Sequence, residues 1–119
     1  MDESLTFDDK FEALGEYYEM KSPDEIRQQI KKNENILVLL EEIKPYLEKS
    51  FGDAKYSLQM NFEPEMDDKF IILFVNVPQE HFNNGIVDDM MNLRIDIQDL
   101  RHELNVFREL AIMPEILKV

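Results

Sequence analysis

From Ile86 onward, large apolar residues return at alternating steps of four and three: Ile86, Met90, Leu93, Ile97, Leu100, Leu104, Phe107 and Ala111. This is the seam of a heptad helix. With Met90, Ile97, Leu104 and Ala111 at a, and Ile86, Leu93, Leu100 and Phe107 at d, the g positions are Asp89, Asp96 and Glu103. The e positions are Arg94, Arg101 and Arg108. In a parallel pair each g residue faces the e residue five places on in the partner, so acid meets base at every step. The pattern therefore predicts a parallel homodimer through 86–111. A core-facing helix shares much of the same spacing, and then the seam packs on its own chain.

The chain has 119 residues and a net charge of −13, with no cysteine. That length predicts one domain with a modest core. Disulfides, thiol nucleophiles and cysteine metal sites are excluded. The charge argues against direct nucleic-acid binding, which runs on Lys and Arg displacing counterions from phosphate. Anionic membrane surfaces are disfavoured for the same reason. No apolar run approaches the roughly 20 residues needed to span a bilayer, and no signal peptide opens the sequence. A cytoplasmic location is the expectation, and a basic protein is the natural partner.

The charge is concentrated at the start. Residues 1–25 hold nine acids against Lys10 and Lys21, or −7. Within this stretch Thr6 and Asp9 are spaced as a capping box, and Phe7, Phe11, Leu14 and Tyr18 fall on one helical face. Residues 1–21 thus form an acidic amphipathic arm, either loose alone and folding on a partner, or docked on its own core. In the first case Phe7, Phe11, Leu14, Tyr17 and Tyr18 anchor a basic partner while Asp8, Asp9, Glu12 and Glu16 steer it.

Residues 22–119 make the domain proper. Ser22-Pro23-Asp24-Glu25 reads as a capping box with proline at the first helical position. Asn33 or Asn35 breaks that helix, and Pro45 interrupts the next near Ile43. The period then changes to two. Tyr56, Leu58, Met60 and Phe62 alternate with polar residues. Phe70–Val75 is apolar on both faces and belongs inside a covered sheet. Two strands are marginal alone, so a third comes from 115–119, from 4–7, or is replaced by a partner chain. The predicted architecture is α+β: short N-terminal helices, a small antiparallel sheet with strands near 55–63 and 69–77, and a long heptad helix over about 85–112.

The stretch from Ser22-Pro23-Asp24-Glu25-Ile26-Arg27-Gln28, through Asn33-Glu34-Asn35, Leu40-Glu41-Glu42 and Pro45-Tyr46-Leu47, to Phe51-Gly52-Asp53-Ala54 and Tyr56-Ser57-Leu58 resembles a group of small prokaryotic proteins. These begin with S-P-E-E-I-R and continue with two proline-broken helices and a strand hairpin. The resemblance spans about residues 22–76. It implies a helix–helix–strand–strand order and carries no functional residue across.

No constellation for chemistry stands out. His81 and His102 fit no zinc spacing, and Asp67-Asp68 and Asp88-Asp89 fit no calcium loop. Three glycines cannot build a phosphate cradle, and no serine stands in G-x-S-x-G. The expectation is a non-enzymatic protein, without metal or cofactor, that holds or neutralises a basic partner in the manner of an antitoxin or adaptor. The alternatives are a nucleic-acid-mimicking inhibitor of a DNA- or RNA-binding enzyme, and a small acidic secretion-type chaperone.

Overall fold

The structure is a computed structural model and describes residues 6–52, 54–65 and 67–117. Local stop signals divide its first half into short helices. Thr6 caps α1 (Phe7–Tyr17): its hydroxyl accepts from the Asp9 amide while the Asp9 carboxylate accepts from the Thr6 amide. The two-residue strand β1 (Glu19–Met20) follows. Pro23 opens α2 (Pro23–Lys32). Asn33 turns the chain and accepts from the Asn35 amide at 3.2 Å, where α3 (Asn35–Glu42) starts. Pro45 lies in the first turn of α4 (Lys44–Ser50), which is why one apolar run gives two helices.

The strands β2 (Lys55–Glu63) and β3 (Asp68–Val77) form an antiparallel pair. The chain then crosses over through α5 (Gln79–Asn83) and α6 (Ile86–Leu104) and returns as β4 (Leu110–Ile116). β4 lies parallel to β3, and β1 parallel to β2, giving the order β1-β2-β3-β4. Leu58, Ile71, Leu73, Val75 and Leu110 meet buried residues of the helices, among them Leu14, Ile26, Ile36, Leu40, Leu47, Leu93 and Ile97. All of these are less than a tenth exposed.

The predicted architecture is corrected by these observations. The sheet is mixed and four-stranded rather than small and antiparallel. The long helix does not run over 85–112. It stops at Leu104, because Asn105 adopts a left-handed conformation (φ 57°) and the Val106 amide closes back on the Arg101 carbonyl at 3.0 Å. Asn35 of α3 donates to the Leu104 carbonyl at 2.9 Å, fixing the same end. Beyond it Phe107 is in a turn and Ala111 is in β4, so neither continues the seam. The tail does supply a strand, but from Leu110 rather than 115. Residues 4–5 of the other candidate and residues 118–119 lie outside the described part. Ser22 departs from a cap as well: it sits at φ 56° and its side chain makes no cap bond.

Pro114 shows how β4 ends the sheet. Ile71 donates to the Glu109 carbonyl and Leu117 to the Val77 carbonyl. Amides alternate along a parallel strand, so the even-numbered residues of β4 point away from β3. The missing N–H of Pro114 therefore falls on the free edge, where it blunts pairing with another chain.

Candidate protein-interaction surface

The arm residues fall into two groups. Leu14 and Tyr18 are fully buried. The Tyr18 hydroxyl donates to the Leu40 carbonyl at 2.7 Å, and burial pushes its pKa up. Neither side chain is available to a partner while α1 stays docked. Tyr17 stacks on Tyr56 with ring centres 5.5 Å apart and donates to Glu48 at 2.6 Å. Burial first, and that carboxylate second, raise its pKa too. Phe7 and Phe11 stack at 6.1 Å and are half-buried, with Arg27 and Lys31 over the Phe7 ring at 5.5 and 5.4 Å. Asp9 is engaged in its cap, and Glu12 and Glu16 are exposed.

Asp8 ties α1 to α2 through Arg27. That hydrogen bond, and then the guanidinium charge, hold its carboxyl below the usual carboxylate range. A depressed folded pKa contributes stability that is full above the unfolded pKa and is lost as pH falls through the folded one. The Tm difference between wild type and Asp8→Asn should accordingly shrink as pH drops below about 4. Because the pair is exposed, the difference should be small and vanish in ~1 M salt. A difference that grows on acidification would contradict the assignment.

The heptad seam is consumed inside the chain. Ile86, Leu93 and Ile97 are buried, and Met90, Leu100 and Leu104 are partly buried against the same core. Its charges also have local uses. Asp89 lies 2.5 Å from His81, and Asp96 lies 3.4 Å from Lys49 of α4. Arg101 donates to the carbonyls of Phe107 and Leu110 at 2.6 and 2.5 Å. Burial, and to a lesser degree Arg94, lower its pKa, while Glu109 opposes them. Arg108 reaches Asp68 at 3.8 Å. Arg94 is exposed beside a cleft between α6 and β4, whose floor includes Leu93, Ile97 and Ile112. Glu103 is exposed. Four of the six e and g residues thus have partners within the chain.

What α6 presents outward is a second apolar line. Val87, Met91 and Ile95 are 67, 52 and 65% exposed. Spaced four apart, they form one ridge along the helix. On one side the ridge adjoins Met90, Arg94 and the cleft. On the other, at 3.6 residues per turn, come exposed Asp88, Asp99 and Glu103. In the heptad register Val87 falls at e, on the flank of the seam, while Met91 at b and Ile95 at f fall on the outer side. The available signal was that α6 is apolar on two sides, with Ile86-Val87 and Met90-Met91 as adjacent pairs.

Among the described residues no group of three or more His, Cys, Asp or Glu could hold a metal ion, and no helix is long and apolar enough to cross a membrane. Comparison with protein-family models finds no match, and neither do comparisons with curated proteins or with solved structures.

Proposed function

We propose that the protein is a non-enzymatic binding module whose α6 receives a basic amphipathic segment of a partner protein. The observation that carries this is the Val87–Met91–Ile95 ridge, three large apolar side chains each more than half exposed. Isolated exposed apolar residues are ordinary, but a continuous line of them marks an interaction surface. A helix laid along the ridge would bury its own apolar stripe there. Its Lys and Arg residues would face Asp88, Asp99 and Glu103. The net charge of −13 would speed the encounter, which salt screens over ~8 Å at physiological strength.

The test uses a synthetic amphipathic helical peptide with lysines on its polar face, and a counterpart with glutamates in their place. Calorimetry should show binding of the lysine peptide alone, weakening steeply with salt. Met91→Gln with Ile95→Gln should weaken it about tenfold or more. Because both side chains are exposed, the double variant should melt close to wild type. Equal affinity of wild type and variant, or equal binding of the two peptides, would overturn the proposal.

A further inference from the structure

The sheet has two faces, and the helices account for one. Phe70, Ile72, Phe74, Ala111 and Met113 project from the other, as the registers Phe74↔Ser57 and Ile72↔Ala111 require. Ile72 is only 8% exposed yet is not part of the main core, and Met113 is 46% exposed. Strands apolar on both faces normally sit in sheets covered on both sides. Here the centre of the second face is apolar, with Ser57, Gln59 and Asn61 beside it.

We propose that a second copy of this chain covers that face, stacked sheet on sheet with its strands antiparallel to the first. Electrostatics selects this occupant independently of the α6 ridge. A chain of net charge −13 repels its own copy, so two copies can meet only where charge is sparse. The middle of this face carries none. A basic partner, drawn to the acidic helical surface, finds nothing here to pair with.

The corners are self-complementary. A two-fold axis along the row Gln59–Ile72–Ala111 puts Ile72 over its symmetry mate and Phe70 over Phe74 of the second copy. The same rotation exchanges the two ends of β2, so Lys55 comes over Glu63 of the second copy. Glu115 comes over the end of the sheet where Arg108 lies with Asp68 and Ala111. The other two-fold, along β3, would stack Asp68 on Asp68. In aligned packing the sheets rotate by about 30°, which long side chains at the corners tolerate. Three long strands give a face of about 14 by 26 Å in projection. Nearly all of it must be covered to approach the roughly 600 Å² per partner at the low end of specific interfaces, so the dimer is a weak one.

Sedimentation equilibrium from about 20 μM to about 1 mM tests this, a range that brackets weak self-association. Wild type should pass from monomer to dimer. Lys55→Glu, which makes two like-charge contacts by symmetry, should raise Kd about tenfold or more. Adding Glu63→Lys to it should restore the wild-type Kd. Gln59→Arg, which places a charge on the axis, should abolish the dimer with the melt unchanged. The Met91→Gln/Ile95→Gln variant should dimerise as wild type does. A monomer at ~1 mM, a dimer indifferent to Lys55→Glu and Gln59→Arg, or one lost with the α6 ridge would overturn the proposal.

Discussion

A chain lacking residues 2–20 is expected to lose about 5 kcal/mol or more of stability and to melt roughly 20 °C lower. The size follows from Leu14 and Tyr18, both fully buried, which go with α1. Deleting one large core side chain costs about 2–5 kcal/mol, and a domain of this size has only about 5–15 in total. The Tyr18 hydroxyl also leaves the Leu40 carbonyl without its donor. β1 is removed with it, and the bond from the Lys21 amide to the Leu58 carbonyl loses its support. An arm that served recognition alone could be removed with little change in Tm. Thermal melts followed by far-ultraviolet circular dichroism decide the matter. A truncated chain melting within ~3 °C of wild type would show that α1 contributes little to the core.

The second large effect belongs to Arg101. Its guanidinium holds the carbonyls of Phe107 and Leu110, on the turn that carries the chain from α6 into β4. Hydrogen bonds from a charged donor contribute about 1.5–3 kcal/mol each, and water can replace part of them at this half-exposed position. Arg101→Met should therefore cost about 2–3 kcal/mol, with faster hydrogen exchange concentrated in Leu110–Ile116. Arg101→Lys should recover only part, because both bonds come from the terminal Nη2 and the lysine side chain is one bond shorter. Arg94→Glu, on the exposed flank, should be close to neutral. A zipper makes the opposite forecast, with dissociation rather than unfolding and similar effects at Arg94 and Arg101. Equal, small stability changes at the two positions would remove Arg101 from its structural role.

The contrast between Arg94 and Arg101 shows what periodicity leaves open. Leu93 and Ile97 read as seam residues, and they are buried, but spacing does not say whether the covering surface belongs to the same chain. The ambiguity at α1 is the same: Leu14 and Tyr18 lie on one face whether that face meets a core or a partner. Stop signals were easier to read. Pro45 breaks the α3–α4 run and Gly85, at φ +89°, opens α6. The end of α6 was obscured because Phe107 and Ala111 keep the four-three step past Asn105. β4 was obscured because its pairing with β3 is parallel and spans the whole α5–α6 crossover. Such pairing leaves no local turn signal. The ridge of Val87, Met91 and Ile95 was hidden behind the stronger seam on the opposite side of its own helix.

The seven methionines of the chain report on which surface a basic helix occupies. Met91 is on the α6 ridge, Met90 beside the cleft, and Met113 on the open sheet face. Met20 borders the groove along α1 with Asp8 and Phe11. Protein labelled at the methionine methyls should be titrated with the lysine-bearing amphipathic peptide and followed by NMR. The Met91 resonance should move most, Met90 less, and Met20 and Met113 should stay in place. Movement of Met20 with Met91 unchanged would contradict α6 as the binding surface and return recognition to α1.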